Sequence, residues 1–450
     1  MSFRSVFTII VVILILAVGA GGGAYLYLQK QQENQTIELD KASQMMAKGD
    51  HEKALAALET LAQTAHGATA ETIAAARIAA LAKLGRDKEA GELSDAFLKK
   101  YPKSDLRFKA YAVLGRLALD AGDIEKARAW YDEAAKGVAS PAARAEAMLG
   151  QAKIMAYEND LKGAKAQLEK LLEQKAPPEV TDDIEKELGD LNIQILRSRA
   201  PMDEDTVYQM QTGDSIATLA KKYNLTMEVL LRKNGVNDPK RMTTSRRLII
   251  PKCEFSVQVD RNTNTLKLLN GGKFFKKYPC RTGKEDYRTP VGEFTIFDKK
   301  KDPQWVDPQT NHFYPGGDPK NELGTRWLAF QGAMLGIHGT IHPDSIGLYT
   351  SNGCIGMRME DVEELYDLIP LKTPLKIVGK QNKEIVARTT AYLKKQAEEA
   401  AAEAAKEAAA QAEATSGTIA VDAATPVKGP KSSRSGTKSS KAPGASGKKR

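Results

Sequence analysis

The run GIHGTIHPDSIGLYTSNGCIGM, residues 336–357, holds one of only three cysteines in a chain of 450 residues. Cys354 directly follows Gly353, and His338 stands sixteen positions upstream. A free thiol ionises at about pH 8.5, so a thiol nucleophile working at neutral pH needs a neighbour to take its proton, and an imidazole is suited to that task. Gly353 lets the backbone approach a substrate carbonyl closely, which makes the amides of Gly353 and Cys354 the expected oxyanion hole. His338 ends a hydrophobic, strand-like run and is the expected base. His342, just before Pro343, is its rival four residues on.

Outward from this run the texture is β-rich. FSVQVDRNTNTLKLLNGGKFFKKYPCRTG, from Phe255, has three alternating or β-branched runs joined by RNTN and NGGK, an antiparallel meander; TPVGEFTIFDKK adds a strand after a proline-fixed turn. Downstream, MEDVEELYDLIP reads as an amphipathic helix and PLKIVG as a strand. Cys253 begins the first strand of the meander and Cys280 ends the third, which places them at opposite ends of the sheet; no disulfide is expected.

Phe255 to Gly379 resembles the L,D-transpeptidase catalytic domain. The resemblance rests on Thr289-Pro290-x-Gly292, Leu323-Gly324-x-Arg326-Trp327, Ile337-His338-Gly339-Thr340 and Ser351-x-Gly353-Cys354-Ile355, in that order. It implies an enzyme that cross-links or remodels peptidoglycan through an acyl thioester on Cys354, with His338 as base, the backbone carbonyl of Gly339 completing the triad, and Ser351 holding the loop or substrate. One position departs from the pattern. The family commonly has arginine after the Cys-Ile pair, whereas this chain reads Ile355-Gly356-Met357-Arg358, so Arg358 is expected to reach the substrate carboxylate from two positions later. The alternative is a non-catalytic peptidoglycan-binding scaffold.

Residues 205–252 read strand, helix, helix, strand. The TGDS turn at Thr212, the helices IATLAKKYN and LLRKNG, and the closing LIIP resemble a lysin motif, which implies affinity for N-acetylglucosamine-containing glycans. Because the chemistry lies elsewhere, removal of this domain is expected to weaken glycan attachment and spare turnover. Residues 36–201 repeat themselves: GDHEKAL, GRDKEAG, GDIEKAR and NDLKGAK place an alanine at 54, 90, 127 and 164, at spacings of 36 or 37. Each copy reads as a helix ending in Gly or Asn, a charged turn and a second helix, a pattern that resembles tetratricopeptide repeats and offers either a docking face for a protein partner or a spacer.

The ends read differently. Val6 to Leu28 carries no charge and is long enough to cross a hydrocarbon core of about 30 Å, so residues 1–35 read as a transmembrane anchor, with a signal peptide cleaved near Val18-Gly19-Ala20 as the alternative that its length disfavours. With peptidoglycan as substrate, the expectation is a single-pass protein of the cell inner membrane, its C-terminal domains in the periplasm or cell wall. Residues 381–415 read as an Ala/Glu/Lys helix, and 416–450 as a disordered basic tail. The net charge of +9 is concentrated in part on that tail, whose expected contact is an anionic envelope polymer or lipid rather than nucleic acid. Three scattered cysteines and five histidines show no ligand spacing, so no metal and no cofactor is expected. The whole is a multidomain α+β protein: anchor, helical repeats, lysin motif at 205–252, β-rich catalytic domain at 254–380, helix and tail.

Overall fold

A computed structural model describes residues 29–30, 33–137, 140–236, 246–308, 310–331 and 335–419. Val6 to Leu28 and residues 420–450 lie outside them, and among the described residues no helix is long and apolar enough to cross a membrane. The region before residue 200 is a helical repeat: α1 (33–47), α2 (His51–Ala62), α3 (Gly67–Lys83), α4 (Asp87–Lys100), α5 (Arg107–Asp120), α6 (Ile124–Ala135), α7 (Pro141–Tyr157), α8 (Leu161–Glu173) and α9 (Pro178–Arg197).

The period has a backbone cause. Gly49, Gly85, Gly122 and Asn159 all adopt positive φ, between 67° and 83°. At each of these corners the next amide reaches back five residues to the helix it leaves: Asp50 to Met45, Arg86 to Leu81, Asp123 to Ala118 and Asp160 to Met155, at 2.8–3.0 Å. This left-handed helix stop satisfies carbonyls that would otherwise be orphaned. The following helix then starts at the next residue but one in each copy, and its fourth residue is the repeat alanine. Ala54, Ala90, Ala127 and Ala164 are all fully buried. The close approach they permit is filled elsewhere by an aromatic ring: a side chain added at Gly115 of α5 or Gly150 of α7 would strike Tyr131 of α6.

The lysin-motif unit follows as β1 (Thr206–Gln209), α10 (Ile216–Lys222), α11 (Met227–Lys233) and β2 (Arg247–Ile250), with β1 antiparallel to β2. Ser215 and Thr218 form a reciprocal cap at the start of α10, and Thr226 caps α11 through the Val229 amide. The Asn234 side chain both donates to and accepts from the Ile249 backbone, which pins the end of α11 to β2.

Next come β3 (Phe255–Asp260), β4 (Thr265–Asn270), β5 (Lys273–Pro279), β6 (Thr282–Gly283), β7 (Gly292–Thr295), β8 (Asp298–Lys301), β9 (Trp305–Val306), β10 (Phe313–Tyr314), β11 (Arg326–Gln331), β12 (Leu335–Gly339), β13 (Tyr349–Ser351), β14 (Ile355–Met357), α12 (Met359–Leu368) and β15 (Pro374–Val378). The expected meander is present as β3-β4-β5, extended to a five-stranded sheet of order β5-β4-β3-β15-β7. A second sheet has the order β14-β12-β11-β8. Between the sheets and α12 lies a core of Val257, Leu268, Leu328, Ile337, Ile355 and Leu365, all buried. Lys299 donates to the Tyr366 and Ile369 carbonyls at 2.6 Å each and so stops α12. The register puts Cys253 beside the Asn270 end of β4 and Cys280 beside its Thr265 end; both are buried free thiols.

The three regions are joined by more than linkers. Lys267 of β4 and Lys277 of β5 face each other in register, a like-charge pair that is unfavourable by itself. Glu185 of α9, itself buried, takes both, at 2.6 and 2.5 Å. Asn192 of α9 donates to the Phe275 carbonyl at 2.9 Å, meeting the edge strand with a helix. The final helix, α13 (Lys383–Ile419), runs four residues past the expected end at 415, through Ser416, Gly417, Thr418 and Ile419.

Candidate active site

The site is assembled on the second sheet. β12 pairs with β11 on one side and, in parallel, with β14 on the other, so that His338 faces Trp327 across one ladder and Gly356 across the other. Cys354 lies one residue before β14, and in this register the Gly336 amide is directed at its sulfur. A sequence separation of sixteen is thereby closed by two neighbouring strands. His342 falls outside the arrangement: it is exposed, and its Nε2 lies 3.6 Å from Glu322.

The His338 side chain is buried and held on two sides. Its Nδ1 lies 2.5 Å from the Gly339 carbonyl, a contact that needs the proton on Nδ1 and, in the neutral ring, puts the lone pair on Nε2. Its ring stacks on Trp327 with centroids 6.0 Å apart and an interplanar angle of 29°. The indole can lie there because position 336 is glycine; a Cβ on Gly336 would come within 2.6 Å of it. Gly339 is constrained likewise, since a Cβ would press on the Met359 sulfur at 2.5 Å. Trp327 is therefore a wall of the site that its place in the Arg-Trp motif alone did not reveal.

The loop around Cys354 is fixed by hydroxyl groups. Ser351 donates to the Cys354 carbonyl at 2.6 Å, and the buried Thr289 reaches the same carbonyl at 3.4 Å while accepting from the Gly283 amide. Gly353 has φ +104°, and its amide is turned toward Ser351 Oγ at 3.3 Å. In this structure that amide serves the loop, so its expected use on an oxyanion needs the Ser351 contact to open. Arg358 is exposed at the N-cap of α12, beyond the end of β14. The buried cation beside the pair is Arg281, which sequence reasoning passed over.

Burial governs the protonation of both groups. It pushes His338 down to about 3, assisted by the positive charge of Arg281 and opposed by the Gly339 and Glu322 carbonyls. It also pushes the Cys354 thiol up, while the Gly336 amide and Arg281 act the other way. Both shifts favour the neutral forms, a thiol and an imidazole. A cavity of about 360 Å³ between α9, the lysin motif and β5 shares none of these residues; its Lys233 is already committed to Asp205 at 3.1 Å and to the Ala200 carbonyl at 2.7 Å.

Residues 254–377 match the L,D-transpeptidase catalytic domain, and residues 208–251 match the LysM domain. YqjB of Bacillus subtilis, which carries an L,D-transpeptidase name, is 36% identical over 147 residues that span 31% of this chain and 81% of that protein. The chain belongs to the L,D-transpeptidase family. YkuD of Bacillus licheniformis, which carries the same family name, is 32% identical over 177 residues, 38% of this chain and 98% of its own. Among solved structures, an L,D-transpeptidase from Mycobacterium smegmatis is similar at 18% identity and a TM-score of 0.25, over 30% of this chain and 64% of that one.

For this L,D-transpeptidase the two histidines separate cleanly. His338→Ala is expected to lower kcat/KM about a thousandfold, whereas His342→Ala leaves it within about twofold. Because burial holds His338 near 3, the pH profile of the parent enzyme should show no acid limb at the ordinary histidine value of 6.5. A loss of activity in His342→Ala as large as that in His338→Ala would mean that the base is misassigned.

Proposed function

We propose that the enzyme forms or exchanges peptide cross-links in peptidoglycan through an acyl thioester on Cys354. The observation that carries this reading is the juxtaposition of the Cys354 loop with His338, whose Nδ1 is held by the Gly339 carbonyl. The thiol proton passes to His338 Nε2 as sulfur attacks the carbonyl of the L-centred third residue of a stem peptide. The tetrahedral intermediate collapses, the C–N bond breaks, and the terminal D-alanine leaves with the proton from His338. An acceptor amine then attacks the thioester and gives its proton to His338, which returns it to the sulfur. Backbone amides of the Gly353-Cys354 turn receive the oxyanion once Ser351 yields, and Arg358, exposed at the rim, meets a substrate carboxylate.

The lysin motif holds the glycan strand while the stem peptide is processed. The helical repeats, read as tetratricopeptide-like, present a face to a protein partner. Val6 to Leu28 anchors the chain in the inner membrane, with everything after it on the peptidoglycan side. The solubilised full chain is to be incubated with purified tetrapeptide muropeptides and the products weighed by mass spectrometry. New dimers, with release of one D-alanine each, are expected; unchanged muropeptides with retained binding to sacculi would instead make the protein a scaffold.

A further inference from the structure

Gly356 interrupts the pattern of its family at the position where an arginine is usual, and the structure fills the space from another strand. Arg281, between β5 and β6, is clamped to β14 by a reciprocal backbone bridge: its amide donates to the Gly356 carbonyl at 2.8 Å and the Gly356 amide donates back at 3.0 Å. Its side chain folds over Gly356. A Cβ at 356 would lie 2.5 Å from Nε, 2.7 Å from Cγ and 3.0 Å from Cδ, so the guanidinium can occupy this place only because residue 356 has no side chain. Arg281 is 6% exposed, and its Nη1 lies 3.4 Å from Ser345 Oγ, which in turn donates to the His342 carbonyl.

This position is next to the chemistry. Gly356 is the register partner of His338, and Cys354 is two residues before it on the same loop and strand. The Arg281 charge acts on both groups, favouring negative sulfur and disfavouring imidazolium. The other groups facing the loop are uncharged: the Leu335 side chain and the Tyr287 and Arg288 carbonyls lie toward Gly353, the Ser351 and Thr289 hydroxyls hold the Cys354 carbonyl, and the Glu322 carbonyl lies toward His338. We propose that Arg281 is a positioning residue for the thiol, supplying from the far side of β14 the fixed positive charge that the side chain missing at Gly356 does not, and stabilising sulfur as it becomes an anion. Arg281 and Gly356 then form one unit: the cation needs the glycine.

The inference rests on Cys354 being the nucleophile, and its test reads the thiol directly so that the two fail separately. The full chain is alkylated with iodoacetamide across pH 6 to 10, and modification of Cys354 is followed by mass spectrometry. Arg281→Met should move the alkylation midpoint to higher pH and slow alkylation at neutral pH about tenfold, the equivalent of one pKa unit. Arg281→Lys should stay within about threefold of the parent, and Gly356→Ala, which displaces the guanidinium, should behave like Arg281→Met. The double variant Arg281→Ser, Gly356→Arg puts the cation back from the opposite strand and should recover most of the rate. Circular dichroism on each protein identifies any that fail to fold. A folded Arg281→Met, or a folded double variant if the first does not fold, overturns the proposal when its profile contradicts these: the former by superimposing on the parent, the latter by matching Gly356→Ala.

Discussion

Cys354→Ala is expected to keep the fold of the parent and to lose covalent chemistry altogether. The folding half of this expectation comes from how the loop is held. Its fixed points are the Ser351 and Thr289 hydroxyls on the Cys354 carbonyl and the β14 ladder to β12, none of which uses the sulfur. The thiol is half-buried, and removing its sulfur so that only the Cβ methyl remains deletes one polarisable atom, a change on the order of 1 kcal/mol. The chemical half is larger. Without sulfur no thioester forms, and the Cys354→Ala enzyme should make no muropeptide dimers and take up no carbapenem adduct, a loss of at least about 10⁴ in turnover. Thermal unfolding within a few degrees of the parent, beside an intact-mass spectrum with no added acyl group, is the expected pair of results. Residual turnover above about a hundredth of the parent would remove Cys354 from the mechanism.

What was legible in the sequence followed from short-range rules. Glycine or asparagine at the end of a helix fixes a positive φ, and four such corners at Gly49, Gly85, Gly122 and Asn159 announce a repeat before any contact is known. The alternation of FSVQVD and TLKLLN around a turn fixes a hairpin in the same way. The placement of His338 beside the Cys354 loop needed more: it depends on β12 and β14 pairing in parallel, a long-range fact that came into view through family resemblance rather than through spacing.

Arg281 and Trp327 were missed for a physical reason. Each acts by lying across a glycine that belongs to another strand, Gly356 and Gly336, and an absent side chain leaves no pattern in its own neighbourhood. The usable signal was indirect. A glycine standing where a cation is usual asks which other residue fills the space, and the charged residue closest to the glycine of a neighbouring turn, Arg281 in PCRTG, was open to that question. The paired lysines at 267 and 277 carried a comparable hint, since two like charges in register require an acid from outside the sheet, and Glu185 of the repeat region is that acid.

The second large effect concerns the lysin motif, and here the structure reverses the expectation of separable modules. Excising residues 205–252 should leave no stably folded catalytic domain. Val229 and Leu230 of α11 are fully buried in the same apolar core as Leu365 and Leu368 of α12, not in a core of their own. The Thr226 hydroxyl donates to the Asp367 carbonyl, and Arg232 pairs with the Asp367 carboxylate at 2.5 Å. On the other side Lys233, buried, joins Asp205 and the Ala200 carbonyl at the exit from α9. Removal would expose a large apolar face of α12 and strip partners from buried polar groups; at about 2–5 kcal/mol for each large buried side chain lost, two or three such losses are comparable with the whole stability of most domains. A point change keeps the two functions apart. Thr212→Tyr, on the exposed turn before α10, should lower pull-down by sacculi while unfolding and turnover of small muropeptides stay as in the parent. The excised protein should instead be recovered insoluble or unfold without a cooperative transition. If it melts cooperatively at the temperature of the full chain and processes muropeptides at the same rate, the shared core contributes little, and the lysin motif is a detachable module after all.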